Sequence, residues 1–70
     1  MNQKDQEKLL DKGFIILRER NTGIGNNKLD IYCKTKMHNF WHLFAGSFIS
    51  KASRSTCMKF HLNNDFFIED

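Results

Sequence analysis

The sequence contains no proline, only two cysteines and no long hydrophobic run. A small secreted domain usually carries more cysteines, in pairs, so Cys33 and Cys57 indicate free thiols and a cytoplasmic protein. Because no hydrophobic run follows Met1, we expect neither a signal peptide nor a membrane span. Low-complexity stretches and internal repeats are also missing, which argues against an extended or repetitive architecture.

Two nucleotide- and metal-binding signatures are absent as well. The glycines of TGIGNN, residues 22–27, are not followed by the later glycine and the Lys-Ser/Thr of a phosphate-binding loop, so a hairpin turn explains them. A Cys-x2-Cys pair, which zinc fingers use, does not occur. Catalysis by a Cys-His pair is not expected either, because both cysteines fall at predicted buried positions and the carboxylates lie mostly near the chain ends. We therefore predict that the protein is not an enzyme.

What the chain does have is aromatic residues. Seven Phe, one Trp and one Tyr lie within 70 residues, and 40% of the composition is hydrophobic. A chain of this length forms one domain and buries only about 60% of its unfolded surface, so large rings suit its small core. The net charge is modest, and the composition is that of a globular protein.

The formal net charge of +3 is unevenly distributed. Residues 1–11 carry a net charge of −1, residues 12–62 carry +7, and residues 63–70 carry −3. A basic body between acidic ends indicates an anionic partner, although basic surfaces also keep small proteins soluble.

Hydrophobic periodicity predicts the element order α-β-β-β-α-β. The helices are expected at 2–12, capped by Asn2 and ended by Gly13, and at 50–62, capped by Ser50. The strands are expected at 14–20, 28–36, 40–44 and 66–68. We predict a single α+β domain with an antiparallel sheet and both helices on one face: a helix at 1–12, a core at 13–62 and an acidic strand or tail at 63–70.

Alternation in the second and third strands separates two sheet faces. Leu29, Ile31 and Cys33 are expected on the buried face, together with Trp41 and Leu43 of the third strand. The opposite face is predicted to be basic and aromatic, and its residues form the candidate site for nucleic acid or another partner: Arg18, Arg20, Lys28, Tyr32, Lys34, Lys36, Phe40 and His42.

Two interpretations of this face stay open. Cations contact phosphates and aromatic rings stack on bases, which favours a DNA- or RNA-binding accessory protein of a phage or mobile element. Exposed aromatics rimmed by charge equally fit a small inhibitor or adaptor, such as an anti-defence protein, that docks on an acidic protein surface. The chain is a monomer or a homodimer, and Phe66–Ile68 as an edge strand would form the dimer contact.

Histidines and cysteines at i, i+4 spacing raise the question of a metal. The candidate ligands are Cys33, His38, His42, Cys57 and His61. A strand at 40–44 would hold His38 and His42 more than about 10 Å apart, at roughly 3.3 Å per residue, so zinc requires residues 36–44 to be helical. We predict no metal ion and no cofactor.

The segment WHLFAGSFISKA, Trp41 to Ala52, is a Trp strand, a turn and a Ser-Lys-Ala helix start. With the two preceding strands it resembles, over about residues 13–62, the three-strand-plus-helix modules of tyrosine-recombinase arm-binding domains and plant ethylene-response-factor domains. In those families the sheet enters the DNA major groove. The resemblance implies DNA contacts from Arg18, Arg20, Tyr32, Lys34 and Lys36.

Overall fold

The computed structural model describes residues 1–21 and 29–70. The elements follow the predicted order: α1 (Gln3–Asp11), β1 (Ile15–Asn21), β2 (Leu29–Lys34), β3 (His42–Phe48), α2 (Lys51–Leu62) and β4 (Phe67–Glu69). The four strands form one sheet in the order β3-β2-β1-β4. The small α+β fold class is therefore confirmed.

Both helices begin at the caps that the sequence predicts. The Asn2 side chain accepts the Asp5 backbone N–H at 2.8 Å, and the Ser50 hydroxyl accepts the Ser53 N–H at 3.1 Å. Each cap satisfies a backbone donor that the first turn of a helix leaves without a partner. Gly13 adopts a φ of 95°, a conformation that glycine reaches without the steric cost of a Cβ atom.

The sheet is mixed, so the prediction of an antiparallel sheet is wrong for its last strand. β1 pairs antiparallel with β2, and β2 pairs antiparallel with β3. β4 instead pairs parallel with β1, because the chain returns through α2 before it reaches the free edge of β1. A helical crossover of this kind is the usual connection to a parallel strand.

The two helices lie on opposite faces of the sheet, whereas the sequence interpretation placed them on one face. On the α1 face, Lys34 of β2 donates to Gln6 of α1 at 2.9 Å. On the α2 face, Glu19 of β1 forms an ion pair with Arg54 of α2 at 3.2 Å. Lys34 and Glu19 project from opposite faces of the sheet, because side chains alternate along a strand. The sheet is therefore covered from both sides.

The core lies between the sheet and α2. Its fully buried members are Leu17, Ile31, Cys33 and Met58, and partly buried rings of β3 and β4 pack against them. Ile31 and Cys33 thus occupy the buried face that the alternation predicts. On the other side of the sheet, Ile16 is fully buried on the face where Leu10 and Gln6 of α1 are also buried.

β3 departs most from expectation. It runs from His42 to Phe48, beyond the predicted end at residue 44, and its pairing with β2 is irregular on both sides of Ile31. Cys33 pairs with His42, and Tyr32 pairs with Leu43, so His42 shares the α2 face and Leu43 the α1 face. The predicted facing of this strand was therefore wrong by one residue, which inverts every side chain.

Both thiols are free. None of the described helices is long and apolar enough to cross a membrane.

Candidate binding surface

The α1 face carries a row of cations held over aromatic rings. The guanidinium carbon of Arg20 lies 5.2 Å from the centre of the Tyr32 ring. The Trp41 ring is contacted twice, by the Arg18 guanidinium at 4.3 Å and by Lys34 Nζ at 4.8 Å. We call these five residues the cation–aromatic ladder. Each contact contributes about 0.5–1 kcal/mol at an exposed site and holds a long side chain in one orientation.

Strand pairing explains why these residues meet. Arg18 pairs directly with Tyr32 across β1 and β2, and Ile16 pairs with Lys34, so their side chains project from the same face. Trp41 lies just before β3 and turns its ring onto this face beside Arg18 and Lys34. The ladder is therefore built by β1, β2 and the residue that enters β3.

Part of the ladder is tied to α1 and β4 by hydrogen bonds. Arg18 Nε donates to Asp70 Oδ2 at 2.6 Å, and Arg18 Nη2 forms an ion pair with the same oxygen. Gln6 joins the two sides, because it donates to Asp70 Oδ1 at 3.2 Å and accepts from Lys34 at 2.9 Å. The charge of Arg18 is thus neutralised within the protein.

The pKa of the Asp70 carboxyl reports this arrangement. Burial raises this pKa. The hydrogen bond and charge of Arg18, together with Gln6 and the Met1 amino group, lower the pKa by more than burial raises it. The net result is a pKa below the ordinary value, so Asp70 is ionised at neutral pH.

The rest of the α1 face, over β2, the start of β3 and the end of β1, is more open. Arg20 is exposed, and Tyr32, Lys34 and Trp41 are partly exposed. Leu43, opposite Tyr32, keeps 59% of its surface accessible to solvent. We call Arg20, Tyr32, Lys34, Trp41 and Leu43 the open half of the face.

The structure brings together four of the eight predicted site residues: Arg18, Arg20, Tyr32 and Lys34. Lys36 and Phe40 lie exposed in the connection between β2 and β3, where the Phe40 ring lies 5.5 Å from the ring of His42. Lys28 lies outside the described residues.

His42 does not belong to the candidate surface. It lies on the α2 face, where its Nε2 is 3.1 Å from Cys33 Sγ. Its Nδ1 is 2.9 Å from the Phe40 carbonyl oxygen, which can only accept, so Nδ1 carries the proton and Nε2 accepts from the thiol. Burial raises the pKa of the Cys33 thiol, in keeping with a neutral S–H donor rather than a nucleophilic thiolate.

The remaining metal candidates are spread over the molecule. The rings of His38 and His42 are 5.6 Å apart, much closer than the extended strand predicted, because β3 begins only at His42. His61 stacks edge-on against Phe44 at 4.8 Å, and Cys57 packs on the core. Over residues 1–21 and 29–70, no three His, Cys, Asp or Glu side chains are placed to hold a metal ion together.

Three contributors to this surface were missed by sequence reasoning. Trp41 was assigned to the buried face, and Gln6 and Asp70 were not considered for the site. Cations at alternate positions of β1 and β2 indicate that an aromatic ring could pack beside them on the same face. Only the register of β3 shows that this ring is Trp41. For Gln6 and Asp70, no local pattern links residues 64 positions apart.

Comparisons with protein-family models, with curated proteins and with solved structures found no match to this chain. The resemblance to the recombinase and ethylene-response-factor modules therefore stays a prediction. In this fold, α1 lies on the face that the resemblance would place in the major groove.

Proposed function

We propose that the protein binds nucleic acid through the open half of the α1 face. The observation that carries this proposal is the cation–aromatic ladder, which places three cations over two rings on one sheet face. Cations fixed in this way present their N–H groups without losing further side-chain entropy when a phosphate arrives. A cytoplasmic accessory role for a phage or mobile element is consistent with such an activity.

The position of α1 favours a single strand over a duplex. Gln6 and Leu10 of α1 are buried, and Gln6 bonds both to Asp70 and to Lys34 of β2, so α1 covers part of the face and the whole sheet cannot lie flat in a groove. A single strand needs only a narrow track, with phosphates near Arg20, Lys34 and Lys36. The Phe40 ring is 58% exposed and offers a surface for base stacking.

A second candidate function has its own observation. Met37, Phe40 and Leu43 expose 89%, 58% and 59% of their surfaces, and the exposed Lys36 precedes Met37 in the chain. Apolar side chains with a charged rim are typical of protein interfaces. An inhibitor or adaptor that covers an acidic protein surface would use these residues in place of the ladder.

Fluorescence anisotropy of labelled single-stranded and duplex oligonucleotides, at low and moderate salt, tests the first proposal. We expect the wild-type protein to bind the single strand more tightly, with an affinity that falls steeply as salt rises. The variant Arg20→Glu/Lys36→Glu should lose most of this affinity, because both exposed cations become anions.

The matched control is Lys51→Glu/Lys59→Glu, which reverses two exposed cations of α2 and has the same net charge. Equal losses in the two variants would mean that only overall charge matters, which would contradict a site on the α1 face. The absence of binding at low salt would reject nucleic acid and favour the acidic protein partner.

A further inference from the structure

We propose that Asp70 competes with a ligand phosphate for the guanidinium of Arg18 and so holds the nucleic-acid affinity below its maximum. The inference rests on the proposed function, since it concerns the regulation of the same surface. It identifies Asp70 as an internal substitute for a phosphate group.

The contact between the two residues has the geometry of a phosphate contact. Arg18 uses two neighbouring nitrogens, Nε and Nη2, to hold a single carboxylate oxygen. Guanidinium groups bind carboxylates and phosphates through the same fork of N–H donors, so the two anions are chemically interchangeable at this position. A phosphate and Asp70 cannot occupy these donors together.

The accessibility of the two partners differs. The Asp70 side chain is only 8% exposed, whereas the Arg18 side chain is 37% exposed. Solvent, and therefore an incoming anion, reaches the cation directly while the carboxylate is covered. Arg18 also lies against Trp41, which Lys34 contacts from the open half of the face. A strand bound at Lys34 is thus carried close to Arg18.

Asp70 lies just beyond the end of a short edge strand. It follows β4, a strand of three residues, and its backbone N–H donates to Leu17 O at 2.8 Å. Its side-chain contacts are those with Arg18, Gln6 and the Met1 amino group. A short edge strand opens at a low free-energy cost compared with the core strands, so the carboxylate can leave while the sheet stays intact.

The test compares Asp70→Asn with Glu69→Gln, using anisotropy of a labelled thymidine oligonucleotide over a salt series. Both variants lose one negative charge, but Glu69 is exposed and only Asp70 contacts Arg18. We expect Asp70→Asn to bind severalfold more tightly than Glu69→Gln. The dependence of log K on log salt should steepen by about 0.7, the value for one added phosphate contact on a single strand.

A double-mutant cycle guards against an effect of altered folding. In the background Arg18→Gln, the substitution Asp70→Asn should raise the affinity no more than Glu69→Gln does, because no guanidinium is released. Equal affinities for Asp70→Asn and Glu69→Gln, or a gain above that of Glu69→Gln that persists without Arg18, would overturn the competition while wild-type binding still supports the proposed function. If no variant binds the oligonucleotide at low salt, both proposals fail together.

Discussion

Trp41 and His42 are neighbours whose side chains serve opposite faces of the sheet. Trp41 holds Arg18 and Lys34 on the α1 face, and His42 accepts from Cys33 on the α2 face. The sequence alone assigned these two residues the other way round. Alternation fixes which residues share a face, but it does not fix which face is the core when both carry aromatic residues.

Gly46 of β3 lies close to the side chain of Asp30 in β2. A Cβ atom at this position would lie 2.6 Å from Asp30 Oδ1 and 3.1 Å from Leu43 Cδ1. Asp30 is buried, and the same oxygen accepts the Ser47 N–H at 3.0 Å, so it cannot move aside without losing that bond. We expect Gly46→Ala to lower the free energy of unfolding by about 1–3 kcal/mol, measured by urea denaturation.

The neighbouring substitution Ser47→Gly is the control. Ser47 has a φ of 61°, a conformation that glycine adopts more easily than serine, so the substitution removes backbone strain from the folded protein. Glycine also increases the conformational entropy of the unfolded chain, and this second effect opposes the first. Its stability should stay within about 1 kcal/mol of the wild type. A stable Gly46→Ala variant would mean that the close approach to Asp30 is absent.

Asp70 should make stability depend on pH in the acid range. Its pKa is lower in the folded protein than in the unfolded chain, so its contribution is complete above the unfolded pKa and is lost as the pH falls through the folded pKa. We expect Asp70→Asn to lower the melting temperature at neutral pH by about 4–8 °C, which corresponds to about 1 kcal/mol after allowance for the partly exposed Arg18.

The difference between wild type and Asp70→Asn should shrink below about pH 4, where the unfolded carboxyl begins to hold its proton. Thermal unfolding followed by circular dichroism at a series of pH values measures it. A difference that persists undiminished to about pH 2 would contradict the lowered pKa.

At the scale of elements, α2 is joined to β1 by a buried arginine. Arg54 is 5% exposed, pairs with Glu19, and donates to the Arg20 carbonyl at 3.1 Å and to Asn21 Oδ1 at 2.6 Å. This single side chain satisfies acceptors at the end of β1 from the first turn of the helix. The sequence showed Arg54 only as one cation of the basic body, because its partners are more than 30 residues away.

Replacing Arg54 with methionine should therefore destabilise the protein by about 2–3 kcal/mol, since the partly buried Glu19 and the Arg20 carbonyl lose their donor. Lys51→Met removes a cation from an exposed position of the same helix and should change stability by less than about 0.5 kcal/mol. Urea denaturation measures the free energy of unfolding of both variants. Similar values for Arg54→Met and Lys51→Met would show that the buried contact of Arg54 contributes little to stability.

Local signals predicted the elements well, and long-range pairing was harder to predict. Neighbouring residues were enough to predict the helix caps at Asn2 and Ser50 and the helix end at Gly13. Both helices begin and end within one residue of the predicted bounds. The parallel pairing of β4 depends on where α2 packs, and the helix faces depend on the whole sheet. Neither leaves a pattern inside a single segment.

At the scale of the whole molecule, the two faces of the sheet carry different kinds of side chain. The α2 face holds the apolar core, and the α1 face combines a small buried contact at Ile16 with charged and aromatic side chains. The acidic C-terminal segment contributes a carboxylate to that charged face rather than extending away from it. The uneven charge seen in the sequence is thus partly neutralised by folding.

The most direct test of binding through the open half of the α1 face is a nuclear magnetic resonance titration of the isotope-labelled protein with a short single-stranded oligonucleotide. We expect chemical-shift changes to concentrate on Arg20, Tyr32, Lys34 and the Trp41 indole, while signals of α2 stay unchanged. Changes centred on α2, or no changes at low salt, would contradict binding through the open half of the α1 face.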